Sequence, residues 1–301
     1  MSIFKKRETP IQNIAYMSIM AAINVIFVLL SNILPLLLFL LIFLLPLTSA
    51  IVTLYCKKRY YPIYFITTLA LCILVSFGFT IFDTLIYVFP SLITGFIFGV
   101  SFEKNVPGIM IIVGNTIIQF LLSILTFYVL GYIITNLNMM NVLINAFGLK
   151  DFPYKDTFTL IFLYVISMIQ ITLTYMFIKL QIKRFTIEFN LEISNKVTLF
   201  IGTFIIYSLI ILSYFIFPKW TMVFVIMPLP IYIYELISIV VSKSKMGISL
   251  LALTHLGFIF IMALLVSKVN QPNQLMLLIV LYGSNTIIDI LNNYCFAKRI
   301  K

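Results

Sequence analysis

The sequence predicts an all-α protein, a polytopic helical membrane bundle of about ten transmembrane helices with both termini cytoplasmic. Three observations carry that expectation. The 301 residues are 62% hydrophobic and only 10% charged, against roughly 25% charged in a soluble domain. Ten apolar stretches of about twenty residues, the length that crosses a hydrocarbon core, fill nearly the whole chain. Nearly every charge falls in the short gaps between them.

In order, the predicted spans are 11–33, 35–55, 61–79, 84–101, 108–134, 158–180, 197–217, 221–241, 247–267 and 275–296. Little polar sequence separates the first two. One helix over 11–55 would run about 68 Å, against a hydrocarbon core of about 30 Å. The chain must therefore fold back, and Ser31, Asn32 and Pro35 supply the break. Basic residues delimit the others and orient them. Segments on one side carry Lys5, Lys6 and Arg7; Lys57, Lys58 and Arg59; Lys104; Lys179, Lys183, Arg184 and Lys196; Lys243 and Lys245; and Lys298, Arg299 and Lys301. The opposite side carries Lys150, Lys155, Lys219 and Lys268. Sixteen against four marks the first side as cytoplasmic, and a missed span would invert every later loop. The first apolar run is too long for a signal peptide and lacks a small-x-small cleavage site, so it reads as a retained helix.

Two loops are longer. Residues 135–157, with Met139 to Phe147 followed by Gly148 and Pro153, read as a short amphipathic helix on the outer interface or over a cavity. Residues 181–196, with Lys183, Arg184, Glu188, Glu192 and Lys196, form a cytoplasmic loop between six spans and four.

Several functions are excluded by these patterns. The net charge of +11 sits at membrane borders, where it meets anionic lipid rather than nucleic acid. Cys56, Cys72 and Cys295 have neither disulfide-framework nor metal-ligand spacing, so no metal is expected. The single histidine and the absence of GxSxG, HExxH or a phosphate-cradling glycine loop argue against an enzyme and against a cofactor.

Polar residues inside the spans carry the functional signal, because a charge in hydrocarbon costs about 2.5–3.5 kcal/mol on insertion scales. Glu235, His255 and Asp289 lie six, eight and seven residues from the cytoplasmic ends of spans eight, nine and ten, each about 10 Å deep. Tyr282, Asn285, Asp289 and Asn292 share one face of span ten. Pro228 and Pro230 free backbone carbonyls just before Tyr232, Tyr234 and Glu235. Two readings stand: a proton or cation relay, or a hydrogen-bonded cluster that locks three helices together. A second set is neutral. Asn115, Gln119 and Ser123 recur at i, i+4 and i+8 in span five, and Gln170 and Thr174 lie at similar depth in span six. Their amides suit a small polar solute, or else serve as interhelical bonds. Gly95 and Gly99 form a GxxxG, and Ser18 and Ala22 a small-xxx-small pair, both expected at close helix packing.

Pro46 to Ala50 (Pro-Leu-Thr-Ser-Ala), the Cys56 to Arg59 turn (Cys-Lys-Lys-Arg) and Phe89 to Gly99 (Phe-Pro-Ser-Leu-Ile-Thr-Gly-Phe-Ile-Phe-Gly) resemble the YybS-like predicted membrane proteins of Gram-positive bacteria, a family of unknown function. More distantly, the first six spans resemble the S components of energy-coupling-factor transporters. That resemblance implies a six-helix half over 1–180, a loop over 181–196 and a four-helix extension over 197–301. It also implies a transmembrane coupling subunit that contacts the face of Ser18 and Ala22. In this chain Ser18 replaces an alanine of that face, and the four extra helices depart from the S-component pattern. The function expected is therefore a multi-pass cell-membrane transport protein or transporter subunit for a small polar solute. The alternative is a membrane scaffold that binds other membrane proteins in envelope assembly.

Overall fold

A computed structural model describes residues 6–34, 37–77, 81–130, 155–184, 196–216, 221–241, 245–265 and 271–291, with positions 133, 141, 144, 145 and 148. Every regular element among the described residues is helical. The chain divides into two compact units, Met1–Glu192 and Ile193–Lys301.

The first unit contains α1 (Pro10–Ile33), α2 (Leu38–Tyr55), α3 (Tyr61–Val75), α4 (Ile81–Glu103), α5 (Gly108–Leu125) and α6 (Lys155–Arg184). Thr9 opens α1 with a capping box: its hydroxyl accepts from the Gln12 amide, and the Gln12 side chain returns to the Thr9 N–H. Pro10 occupies the first turn, where its missing N–H costs nothing. The helix ends at Ile33, and α2 begins at Leu38; Pro35, assigned to that break, lies outside the described residues. α2 is the central helix and packs on α1, α4 and α6. Its closest approach is to α4. A Cβ on Gly95 would meet Ser49 and stand 2.5 Å from the Pro46 carbonyl oxygen, while one on Gly99 would stand 2.5 Å from the Thr53 Cβ. The glycines therefore let the two backbones touch along the predicted GxxxG.

The second unit contains α7 (Lys196–Ile216), α8 (Thr221–Ile226), α9 (Leu229–Val241), α10 (Lys245–Leu265) and α11 (Gln271–Leu291). α11 packs on each of the other four. The sequence predicts one span over 221–241, but the chain breaks at Met227 and Pro228 between α8 and α9. Pro228 and Pro230 lack the N–H groups that would continue the ladder, so the amides of Ile231 and Tyr232 both turn back to the Pro228 carbonyl.

Other boundaries shift by a few residues. α6 continues to Arg184, four residues into the predicted cytoplasmic loop, since Lys and Arg are good helix formers. α5 passes into a π-helical stretch, Thr126–Leu130, where the Thr126 hydroxyl bonds back to the Leu122 and Ser123 carbonyls. The predicted outer helix over 135–157 lies largely outside the described residues. Within it Asn141, Ile144 and Asn145 are helical, and Gly148 has φ +67°, a left-handed conformation suited to glycine.

Among the described residues, four helical stretches are long and apolar enough to cross a membrane: Pro10–Ile33, Thr84–Glu103, Gly108–Tyr128 and Thr157–Leu180, with mean hydropathy from 1.9 to 2.2. Large apolar side chains cover much of the surface, and several polar side chains are buried. Phe204, Phe215, Leu253 and Phe260 are exposed, while Asn24, Gln119, Glu235 and Asn285 are buried. Large exposed apolar surfaces of this kind are rare on soluble monomers.

Candidate functional sites

The neutral set assembles between α5 and α6. Gln119 Nε2 donates to Gln170 Oε1 across 3.2 Å, joining residues at the same level of two packed helices. Gly108, lower on α5, abuts the Tyr175 hydroxyl on α6, so the helices run antiparallel. One turn below the glutamine pair, Asn115 on α5 therefore stands level with Thr174 on α6. Asn115 Nδ2 donates to the Ile111 carbonyl at 3.0 Å. A carbonyl oxygen accepts only, which orients the amide and turns Asn115 Oδ1 away from its own helix. That oxygen has no hydrogen-bond partner, and neither do Gln119 Oε1, Thr116 Oγ1 and Thr174 Oγ1. All four side chains are buried. Oxygens left in this state normally receive water, an ion or a ligand group. No charged residue belongs to the set, so what it takes must bring hydrogen-bond donors. Ser123, the third position of the predicted stripe, is half-buried.

The ionisable set lies in the second unit. Glu235 on α9 is fully buried, and Thr286 Oγ1 on α11 donates to its Oε2 at 2.9 Å. Thr286 has one hydrogen, within reach of both Glu235 Oε2 and the Tyr282 carbonyl at 3.1 Å. With that hydrogen on Glu235, the Tyr207 hydroxyl of α7, 3.1 Å away, is the donor to Thr286. Asp289, buried three residues beyond Thr286 on the same helix face, interacts electrostatically with Glu235. His255 is placed differently. Its Nδ1 faces the Leu251 carbonyl at 2.7 Å and must carry the hydrogen there, while Nε2 faces the Tyr232 hydroxyl. Neutral His255 is thus held in the Nδ1–H tautomer, accepting from Tyr232. The histidine reaches α9 one turn before Glu235 and bonds to a phenol, not to a carboxyl. Tyr232 also packs against Tyr282, with ring centroids 5.2 Å apart, and its carbonyl accepts from Asn285 Nδ2 at 3.3 Å. Asn292, the last member of the predicted stripe, lies outside the described residues.

Thr286 and Tyr207 are absent from the sequence reading. Thr286 carries no charge and falls beside the Asn285 and Asp289 stripe, so only the packing of α7 and α9 on α11 reveals it. A further buried network was also missed: Thr48 Oγ1 donates to Asn24 Oδ1 at 2.6 Å, and Asn24 Nδ2 donates to the Tyr64 hydroxyl at 2.9 Å, tying α1, α2 and α3. A lone Asn in the middle of span one was the available signal.

Gly95 and Gly99 are covered by α2. Ser18 and Ala22 look outward from α1 along a groove of about 270 Å³ against Ile63, Tyr64, Thr67 and Leu71 of α3. At one end of this unit Lys6 and Lys58 both reach Glu103, each at 2.9 Å, and Arg7 stacks 3.4 Å over the Tyr16 ring. Among the described residues no group of three His, Cys, Asp or Glu side chains is arranged to hold a metal ion.

In comparisons with known proteins, no family model, no curated protein and no solved structure matches the chain.

Proposed function

We propose that this is an integral cell-membrane protein of about ten spans with cytoplasmic termini, acting as a transport protein or transporter subunit that binds a small polar solute between α5 and α6. The buried oxygens of Asn115, Thr116, Gln119 and Thr174, none with a hydrogen-bond partner, carry this reading. A bundle needing only interhelical bonds would close such groups on one another, because an unmet buried acceptor costs about 1–3 kcal/mol. The apolar exterior and the four membrane-length helices support insertion. The sixteen-to-four split of basic residues supports the orientation. In this proposal residues 135–157 form an outer lid, and Glu235, His255 and Asp289 form the coupling or gating element. The first six helices play the part of an S component, with a transmembrane coupling subunit as partner.

The test is purification from the native membrane in mild detergent, with mass spectrometry of co-purifying proteins and small molecules. A retained polar metabolite that is lost in Gln119→Leu and Gln170→Leu, while expression and thermal unfolding hold, is the expected result. Retention unchanged in both variants removes these residues from the site. The second reading, a scaffold in envelope assembly, draws on the outward face of Ser18 and Ala22. It predicts recovery of envelope-assembly proteins with an empty small-molecule fraction.

A further inference from the structure

We infer that the groove between α1 and α3 seats one anionic phospholipid, with an acyl chain along the groove and the phosphate on Arg59. The inference goes beyond the solute site and rests only on the membrane insertion proposed above.

The groove has a direction. Asn13 Oδ1 accepts from the Lys57 N–H at one end, and Asn32 Nδ2 donates to Ser76 Oγ at the other, so α1 and α3 run parallel. The lining extends from Ile14 and Tyr60, at the turn that opens α3, to Leu71. From Tyr60 to Leu71 the helix rises about 16 Å, close to half of a hydrocarbon core of about 30 Å. The groove therefore matches one leaflet in depth.

Its walls suit a hydrocarbon chain. Met17, Ala21, Ile63 and Leu71 are apolar, and the nearby hydroxyls are already engaged: Tyr64 accepts from Asn24, and Thr67 donates to the Ile63 carbonyl at 2.8 Å. A polar solute would find little to bond. The volume is about 270 Å³, whereas a helix 10 Å across would occupy about 1,300 Å³ over the same 16 Å or so. A single chain fits where a partner helix does not.

Charge at the mouth selects the headgroup. Arg59 is exposed, its guanidinium stands 4.7 Å over the Tyr60 ring, and its Nη2 donates to the Tyr60 hydroxyl at 2.7 Å. Because Tyr60 lines the groove, these contacts hold the guanidinium at the groove's end. Among the described residues Arg59 has no carboxylate partner, and neither do Arg7 and Lys57. Of the acidic residues at this end, Glu103 is taken by Lys6 and Lys58, and Glu8 is exposed, with its backbone carbonyl accepting from Lys57 Nζ at 2.7 Å. A guanidinium offers five N–H donors in a planar fork that matches phosphate oxygens. Tyrosine and basic side chains together mark the level at which headgroups lie. A zwitterionic lipid would bring its own ammonium against these cations, so a net negative headgroup is favoured.

The experiment uses the full-length protein, extracted in mild detergent, stripped of lipid and titrated with phosphatidylglycerol or phosphatidylcholine of the same acyl chains. Bound lipid is read by native mass spectrometry, and thermal unfolding checks each variant. One phosphatidylglycerol per chain, held at concentrations where phosphatidylcholine is not, is the expected result. Arg59→Gln should weaken it about tenfold, the scale of one hydrogen bond to a charged group. Ala22→Phe, which fills the groove from an exposed position, should weaken it at least as much. Lys179→Gln is the control, an exposed cation on α6, which packs on α2 and α5, and should leave binding unchanged. Equal retention of the two lipids, or retention of neither, overturns the inference on the unaltered protein alone. So does a Lys179→Gln loss as large as that of Arg59→Gln, or lipid binding that survives Ala22→Phe while a co-purifying protein is lost. A chain that leaves the membrane without detergent fails the insertion reading instead, and metabolite retention at Gln119 and Gln170 is scored independently of the lipid.

Discussion

Thr286 gives its hydroxyl hydrogen to Glu235 across 2.9 Å, linking α11 to α9 through residues 51 positions apart. Behind it, Tyr207 completes a line of three side chains from three helices. Replacing Thr286 with Val keeps the volume and removes the donor, leaving a buried carboxyl oxygen and the Tyr207 hydroxyl unmet. Unfolding in detergent should show a loss of about 1–3 kcal/mol, and Thr286→Ser should recover most of it. Equal stability of the Val variant would mean that the hydroxyl does not hold this line together.

Gly99 offers a direct test of the contact of α4 with α2. An added methyl would lie 2.5 Å from Thr53 Cβ and 2.9 Å from the Ala50 carbonyl oxygen, and backbone yields poorly. Gly99→Ala should therefore cost about 1–3 kcal/mol by overpacking. Gly114→Ala is the matched control, because nothing stands within 4 Å of its added methyl. A lower melting temperature for the control than for Gly99→Ala would contradict the packing assigned to α2 and α4.

The Thr48, Asn24 and Tyr64 network holds three helices through bonds of 2.6 and 2.9 Å between buried side chains. Tyr64→Phe removes the acceptor of Asn24 Nδ2 and should destabilise the first unit by about 1–3 kcal/mol. Asn24→Leu combined with Tyr64→Phe removes both members of the pair and should cost less than the sum of the single changes. Strict additivity would indicate that the two side chains act independently.

His255 is the only histidine, so selective ¹⁵N labelling yields one imidazole spectrum. In the neutral ring the Nδ1–H tautomer should dominate, set by the Leu251 carbonyl and the Tyr232 hydroxyl. In Tyr232→Phe the second constraint disappears, and the Nε2–H form should rise. An Nε2–H form already dominant in the unaltered protein would reverse the direction of the His255–Tyr232 bond.

Much of the architecture is legible in the residue pattern, for a local reason. Helix periodicity repeats every 3.6 residues, so Asn115 and Gln119, or Asn285 and Asp289, fall on one face whatever surrounds them. Prolines act locally as well, and Pro228 with Pro230 marks the place where the single predicted span over 221–241 divides into α8 and α9. The depth argument placed Gln119 level with Gln170, and the two are hydrogen-bonded.

The sequence by itself determined which stretches are apolar helices, where most of them stop, and which polar residues must turn away from lipid. It could not decide which helix faces which, because that depends on contacts between residues tens of positions apart. Only the tertiary structure tied His255 to Tyr232 rather than to a carboxyl, brought Tyr207 to Thr286, and filled the Gly95 and Gly99 face with α2. The physical reason is range. Covalent geometry sets a helix and its faces within a few turns, whereas rotation and register between helices follow from side-chain packing summed over whole interfaces.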